Sequence, residues 1–185
     1  MATVPNIKTV TYEEWLRMPE VSDATEEVVN GEIRITPAPE CSHGEIVDNV
    51  LREIASQVDR RLVKVAVAQF GLIIRRSPLS VRVPDLAVFE RSTIAVQDGY
   101  VRSAPQLIVE VFSLSQTRED MEEKVADYAS LGVPEVWVIS PKERTVEVLY
   151  LSDGRLRPVQ VLSDGILTPK HFPQVKVDIA AIWPE

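Results

Sequence analysis

The sequence is poor in the residues that build several common kinds of site. It has 1 cysteine and 2 histidines, so neither an internal disulfide nor a zinc site of Cys and His ligands is expected. Its 7 glycines form neither a phosphate-binding loop nor a nucleophile elbow. Because the lone thiol of Cys41 needs no oxidising compartment for folding, we expect a cytoplasmic location.

Long apolar runs are also missing. No stretch approaches the roughly 20 consecutive apolar residues that cross a bilayer, and residues 1–9 contain no apolar core of signal-peptide length. We therefore expect no membrane segment. The length of 185 residues and the hydrophobic content of 45% suit a single globular domain, residues 1–185, with a full hydrophobic core.

Basic charge is scarce, and the net charge of −8 argues against a protein that holds duplex DNA by bulk electrostatics. The segment from Ser42 to Arg82 is an exception, since it has seven basic and four acidic residues and a charge of +3. The rest of the chain has 13 basic and 24 acidic residues. This segment could form a local basic face, but a solvated rim of helix and strand residues explains the same charges equally well.

Local patterns predict an α+β, or mixed α/β, fold in which helices flank a central sheet. Capping residues indicate three helix starts, at the pairs Thr11 and Glu14, Ser42 and Glu45, and Thr117 and Asp120. The second helix is predicted to run to about Leu62 and the third to end at Gly132. Predicted strands are Val63–Phe70, Leu72–Arg75, Val81–Phe89, Leu107–Phe112, Val136–Ile139 and the hairpin of Val146–Leu151 with Leu156–Leu162.

Two shorter patterns complete this prediction. Asn30-Gly31 between β-compatible runs predicts a tight hairpin in which Glu27 lies opposite Arg34. A short closing helix is expected near the end of the chain, with Asp178 as its N-cap.

Glu110 lies in the apolar run Leu107–Phe112, where a carboxylate is unexpected. Strand alternation puts it on one face together with Ile108 and Phe112. If it is buried, it needs a cation, a metal ion or a proton. The alternative is a glutamate at a sheet edge that reaches solvent.

Asp85 follows Pro84 between two apolar runs. Since proline cannot donate a hydrogen bond within a sheet, Pro84 marks a bulge or the start of a strand, where Asp85 could be turned into a cleft. Taken alone, an ordinary turn aspartate is the simpler explanation. Together with Glu110, however, Asp85 could hold a hard divalent ion such as Mg²⁺, which activates water for phosphodiester hydrolysis.

Lys124 is the candidate ammonium group for such a site. It lies in the third predicted helix, between Met121 and Tyr128 and beside the apolar stripe, so its side chain is angled toward the sheet. There it could neutralise the charge of a transition state. Equally, its stem could cover the core while its amine reaches water.

Other short stretches accompany these residues: Glu27 to Glu32, His43 to Ile46, Pro105 to Ser113, Ser115, Asp120, Tyr128 and Gly132 to Trp137. Together with Val83-Pro84-Asp85, Val109-Glu110-Val111 and Lys124, their order and spacing resemble the PD-(D/E)XK nuclease superfamily. More narrowly, the chain resembles its Uma-type branch of restriction endonuclease-like proteins. The similarity extends from about Thr11 to Trp183.

The resemblance implies that Asp85 and Glu110 bind Mg²⁺ or Mn²⁺ and that the carbonyl oxygen of Val111 is a further metal ligand. The lysine of the superfamily motif belongs two residues after the glutamate, where this chain has Phe112. The Uma-type branch commonly supplies that lysine from the following helix, here as Lys124.

Glu27 and His43 also match positions that the resemblance puts near the same cleft. From the residues alone, Glu27 could instead pair with Arg34 across the hairpin. His43 could simply be a polar residue near a helix start.

The main hypothesis is therefore a Mg²⁺- or Mn²⁺-dependent endonuclease that hydrolyses DNA. Asp85 and Glu110 would hold the metal, Lys124 would stabilise the transition state and orient water, and Glu27 would be an accessory acidic ligand or water-positioning group. Phe112 and the acidic net charge motivate an alternative, an inactive module of the same fold that binds nucleic acid or protein. A structural or oligomerising subunit is a third possibility. We expect a homodimer, since two-fold pairs dominate among oligomers and suit the cutting of a duplex.

Overall fold

A computed structural model describes residues 9–19, 21–67 and 70–184. In the first half the helices and strands are α1 (Tyr12–Trp15), β1 (Ala24–Val29), β2 (Glu32–Pro37), α2 (Cys41–Ala55), β3 (Val63–Val67), β4 (Leu72–Arg76), β5 (Leu79–Arg82), β6 (Leu86–Glu90), β7 (Val96–Gln97) and β8 (Tyr100–Val101). In the second half they are β9 (Leu107–Val111), α3 (Arg118–Leu131), β10 (Glu135–Ser140), β11 (Thr145–Ser152), β12 (Arg155–Leu162), β13 (Ile166–Leu167) and β14 (Val177–Asp178). Short 3-10 helices occupy Arg91–Thr93 and Ile179–Ile182. Among the helices described, none has the length and apolar character that a membrane crossing requires.

The strands of the described residues form two six-stranded sheets and a separate pair of β13 with β14. The N-terminal sheet has the strand order β2-β1-β5-β4-β8-β7, and the central sheet has the order β12-β11-β10-β9-β6-β3. In the central sheet β9 runs parallel to β10 and antiparallel to β6. The predicted mixed α/β class is confirmed. The hairpin of β1 and β2 belongs to the N-terminal sheet and not to the central sheet.

Helices cover both faces of the central sheet, as predicted. Because side chains alternate along β9, those of Leu107, Val109 and Val111 point to one face and pack in an apolar cluster with α2. Ile108 packs in another cluster with residues of α3. Each fully buried aliphatic side chain contributes about 1.5–3 kcal/mol, so apolar packing fixes both helices against the strand that carries Glu110.

The Asn30-Gly31 hairpin is confirmed, and Glu27 lies opposite Arg34. Asn30 and Gly31 have φ angles of 53° and 86°, which suit the turn that joins two strands through two residues. A Cβ atom at Gly31 would also come within 2.8 Å of the Thr9 side chain. Position 31 therefore requires glycine for both conformation and space.

The predicted helix caps are confirmed at four positions. Thr11 and Thr117 each form a complete capping box. Gly132 ends α3 in the left-handed conformation, with φ 91°. The side chain of Asp178 accepts a 2.9 Å hydrogen bond from the backbone nitrogen of Ala180 and so caps the closing 3-10 helix.

The predicted limits of α2 are wrong at both ends. The helix already begins at Cys41, so Ser42 lies inside its first turn and cannot be the N-cap. The N-cap is Glu40, whose side chain makes no capping bond. The helix ends at Ala55, and Asp59 then forms a turn by accepting hydrogen bonds from the backbone and side chain of Arg61. Such local bonds compete with helix formation, and Leu62 is 67% exposed beyond this turn.

The predicted strand Val81–Phe89 is divided at Val83-Pro84-Asp85. β5 ends at Arg82 in the N-terminal sheet, and β6 begins at Leu86 in the central sheet. Pro84 thus precedes a strand, where a missing N–H group breaks no strand pairing. Asp85 lies where the chain passes from one sheet to the other.

Two predictions fall partly on residues that the structure does not describe. The strand predicted at Val63–Phe70 is described as Val63–Val67, and Ala68 and Gln69 lie outside the described residues. Residues 1–8, where no signal peptide was expected, also lie outside them.

Candidate active site

β6 and β9 bring Asp85 beside the strand that carries Glu110. Their antiparallel register joins Leu86 to Val109, and one further step along the same register sets Asp85 opposite Glu110. Asp85 Oδ2 accepts a 2.8 Å hydrogen bond from the backbone nitrogen of Val111. The two acidic residues are thus neighbours, although they are distant in sequence.

Glu110 is buried, with 1% of its surface exposed, so the alternative of a solvent-exposed edge glutamate is wrong. Its Oε1 accepts a hydrogen bond from the hydroxyl group of Tyr128. Its Oε2 lies 3.3 Å from the Nζ atom of Lys124. Both carboxyl oxygens therefore have partners on α3, as a buried polar group requires.

Lys124 points into the protein, and its side chain is 12% exposed. Its Nζ atom lies 3.3 Å from Glu110 Oε2 and also 3.3 Å from Glu27 Oε1. Burial alone would lower the pKa of the ammonium group, but the carboxylates of Glu110, Glu27 and Asp85 outweigh burial and raise that pKa. Lys124 is thus a charged group among carboxylates, and the alternative of an amine that extends into water is wrong.

The centre formed by Asp85, Glu110, Glu27 and Lys124 combines buried and half-buried carboxyl groups with one ammonium group. Burial raises the pKa of the Glu110 carboxyl group to about 8, and the charges of Asp85 and Glu27 raise it as well. Lys124 and the Tyr128 hydroxyl act in the opposite direction. Burial is the largest of these effects, and a cation bound beside the carboxyl group would lower this pKa.

Glu27 uses both of its oxygens to join the N-terminal sheet to this centre. Oε2 lies 3.1 Å from Nη1 of Arg82. Oε1 accepts a 2.9 Å hydrogen bond from the backbone nitrogen of Val83 and contacts Lys124. The pairing of Glu27 with Arg34 is not formed, since Nη1 of Arg34 instead lies 2.5 Å from Glu123.

Arg82 was not identified as a site residue from the sequence. It is 2% exposed, and its Nε atom donates a 2.7 Å hydrogen bond to Asp127. The charge of Arg82 is thus used inside the protein, and Arg75 also pairs with Asp127 at 3.0 Å. The segment from Ser42 to Arg82 therefore does not present all of its basic residues at the surface.

A signal for Arg82 was present, because an arginine within an apolar strand raises the same question as Glu110. Tyr128 gave no such signal, because a tyrosine at helical spacing from apolar residues is expected to pack its ring in the core. Its ring does pack there, but its hydroxyl group reaches Glu110.

His43 reaches the same place from α2. Its Nε2 atom lies 3.2 Å from Asp85 Oδ2 and 3.1 Å from the carbonyl oxygen of Val111. Burial alone would lower the pKa of the imidazole, but the neighbouring Asp85 carboxylate raises it above its ordinary value. The Nδ1 atom has no hydrogen-bond partner in the described part of the chain. His43 is therefore more than a polar residue near a helix start, because its imidazole contacts Asp85 and Val111.

The donor atoms suit a hard divalent ion. Carboxylate and carbonyl oxygens, as supplied by Asp85, Glu110 and Val111, are the preferred ligands of Mg²⁺. Asp85 Oδ2 and the Val111 carbonyl oxygen converge, since both lie within 3.2 Å of His43 Nε2. Over residues 9–19, 21–67 and 70–184, no three His, Cys, Asp or Glu side chains form a metal cage by themselves. The backbone carbonyl and water would complete the coordination, as Mg²⁺ sites allow.

Comparisons with known proteins agree with this architecture. A family model described as "Uma2: Putative restriction endonuclease" matches residues 12–180. A crystal structure at 1.96 Å of a protein described as a "putative nuclease belonging to DUF820", from Anabaena variabilis ATCC 29413, is similar with a TM-score of 0.77 and 22% sequence identity. The similarity covers 94% of this chain and 97% of that chain, and at this identity it shows a shared fold. No curated protein matches the sequence.

Proposed function

Because the chain belongs to the Uma2 family of restriction endonuclease-like proteins, we propose that it is a metal-dependent endonuclease that hydrolyses phosphodiester bonds of DNA. The observation that carries the proposal is the position of Lys124. Its amine lies 3.3 Å from Glu110 Oε2, although the lysine position of the superfamily motif is occupied by Phe112. The chain thus has two acidic residues and an ammonium group in one centre.

Asp85, Glu110 and the carbonyl oxygen of Val111 would hold Mg²⁺ or Mn²⁺. Such an ion, when bound, polarises a phosphodiester and lowers the pKa of a bound water molecule. Hydrogen bonds within the protein orient these ligand groups without the metal. The Val111 backbone nitrogen fixes the Asp85 carboxylate, and Tyr128 and Lys124 hold the two oxygens of Glu110.

Lys124 would stabilise the negative charge that develops on the phosphate oxygens during hydrolysis. A fixed ammonium group in a largely water-free site does this efficiently, because it needs no reorientation during the reaction. Its contacts with Glu110 and Glu27 keep the amine in place and charged.

Glu27 would act as a positioning residue for Lys124. Its carboxylate is itself held by Arg82 and by the backbone nitrogen of Val83. The N-terminal hairpin therefore supports the centre, and Glu27 would act through the lysine rather than as a metal ligand or on water.

Cleavage of a supercoiled plasmid tests the proposal. The unmodified protein should nick or linearise the plasmid with Mg²⁺ or Mn²⁺ and be inactive with a chelator. Asp85→Asn and Lys124→Met should each lower the rate by about 10²–10³-fold, the usual cost of losing one transition-state contact. The matched control is Lys142→Met, because Lys142 is exposed.

Equal cutting by the unmodified protein and these variants would contradict the assigned site. Binding of DNA without cleavage, whatever the metal, would instead support an inactive nuclease-fold module. A single-stranded and an RNA substrate in the same assay would define the nucleic-acid preference. The homodimer and the cytoplasmic location stay predictions.

A further inference from the structure

We propose that His43 is a further ligand of this metal centre, through its Nε2 atom, and that the centre therefore prefers a transition ion such as Mn²⁺ to Mg²⁺. The inference rests on the proposed function, since it requires an ion held by Asp85 and Val111. It adds a nitrogen donor from α2 to oxygen donors that come from the central sheet.

The spacing of the donor atoms supports this assignment. In an octahedral site with bonds of about 2.1 Å, neighbouring ligand atoms are about 3 Å apart. The Nε2 atom of His43 lies 3.2 Å from Asp85 Oδ2 and 3.1 Å from the Val111 carbonyl oxygen. Two edges of such a coordination shell thus already have the required length.

The setting of the ring supports it as well. His43 is 8% exposed, and within the described part of the chain its polar contacts go to Asp85 and Val111. Nδ1 has no hydrogen-bond partner in the described part of the chain. A buried imidazole whose Nε2 faces two candidate oxygen ligands is placed to share their ion, with its remaining proton on Nδ1.

A nitrogen ligand changes the choice of metal. Mg²⁺ is hard, prefers oxygen and keeps much of its water, whereas imidazole binds first-row transition ions more readily. Replacing one oxygen or water ligand with His43 Nε2 should therefore favour Mn²⁺ over Mg²⁺. This preference can be measured as binding, independently of any cleavage activity.

The other histidine of the chain allows an unambiguous labelling experiment. His171 lies on the surface, where its Nε2 is 3.7 Å from Glu90. In a tag-free His171→Gln variant, ¹⁵N-labelled histidine marks His43 alone. Pulsed electron paramagnetic resonance of the Mn²⁺-loaded protein should then show a ¹⁵N coupling of a directly bound imidazole, which is absent without the label.

Calorimetric titration of His43→Gln is the second measurement. The variant should bind Mn²⁺ at least about tenfold more weakly, because even the loss of a group that only supports a ligand costs this much. Its affinity for Mg²⁺ should change less. His171→Gln is the matched control and should bind both ions as the unmodified protein does.

The outcomes separate the inference from the proposal beneath it. Mn²⁺ binding that is abolished by Asp85→Asn but shows no ¹⁵N coupling overturns the ligand role of His43 and leaves the metal site intact. Absence of any Mn²⁺ or Mg²⁺ binding overturns the proposed function itself. If His43→Gln fails to fold, the labelled His171→Gln protein still decides the question, because His43 is unchanged there.

Discussion

Tyr128 donates its hydroxyl hydrogen to Oε1 of Glu110, while Lys124, one helical turn earlier, contacts Oε2 of the same carboxyl group. Residues four apart lie on one helix face, so α3 supplies both contacts from one side. The helix is fixed at its ends by Thr117 and Gly132. The geometry around Glu110 is therefore set by how α3 packs on the central sheet.

The Tyr128→Phe substitution tests this relationship. It keeps the buried ring but leaves Oε1 of Glu110 without its donor, and an unsatisfied buried acceptor costs about 1–3 kcal/mol. Urea unfolding should show a loss of stability of that size. Tyr150→Phe is the control. The Tyr150 ring lies beside the Lys170 amine, and the substitution keeps this ring. Equal stability of the two variants would show that the hydroxyl contact contributes nothing.

The stability of the metal-free protein should fall as the pH rises from about 4.5 to about 8. Burial raises the pKa of Glu110 to about 8, against an ordinary value of 4.5. Over this interval the folded protein holds a proton that the unfolded chain has lost. The contribution of Glu110 is therefore complete below about 4.5 and is lost as the pH rises through 8.

Urea unfolding across this interval, in the presence of a chelator, measures the effect. His43, whose pKa is also raised, adds a dependence in the same direction, so the comparison is made with Glu110→Gln. In that variant residue 110 no longer titrates, and the decline of stability with pH should be shallower. Identical pH dependence of the two proteins would mean that Glu110 is ionised at low pH despite its burial.

Arg82→Ala should be among the most damaging single substitutions. It removes the guanidinium group that the buried carboxylates of Glu27 and Asp127 share, although Arg75 still contacts Asp127. The removal of one partner of a buried ion pair costs about 3–5 kcal/mol. Arg61→Ala is the control, because Arg61 is exposed and pairs with Asp59 on the surface. Chemical unfolding should show a large loss for the first variant and little change for the second.

Much of the fold could be predicted because its signals are local. The Asn30-Gly31 turn and the threonine caps of α1 and α3 depend on a few adjacent residues. The limits of α2 could not be predicted, since Glu40 caps it without a side-chain bond. The division of the strands between two sheets depends on long-range packing, to which the local pattern at Pro84 gave only a partial clue.

Residues of the candidate site could be selected from the sequence where a charge stood out against an apolar background, and their catalytic roles stay predictions. Glu110 was found in this way, and Lys124 followed from its place beside the helix stripe. Which carboxylate each cation contacts could not be predicted, because Arg82, Glu27 and Lys124 come together only when the two sheets and α3 assemble. Each charged group pairs with whichever opposite charge the folded chain brings nearest, and the sequence alone does not give those distances.

The last prediction concerns Phe112, which holds the usual position of the motif lysine. Phe112 lies on the face of β9 that carries Glu110, and its ring lines a cavity of about 720 Å³ together with Met121 and Val125. This cavity offers space for a longer, flexible side chain. A lysine introduced there could direct its amine toward Glu110 from the strand instead of the helix.

The double variant Phe112→Lys with Lys124→Met should therefore regain part of the cleavage activity that Lys124→Met loses. If the loss is about 10²–10³-fold, we expect the second change to recover at least about tenfold, because a less well-oriented ammonium group still stabilises the transition state. Initial rates of plasmid nicking measure this. Phe112→Met in the same Lys124→Met background is the control and should recover nothing, since it fills the space without charge. If the lysine variant is as inactive as this control, the position of the amine on α3, and not only its charge, is required for the reaction.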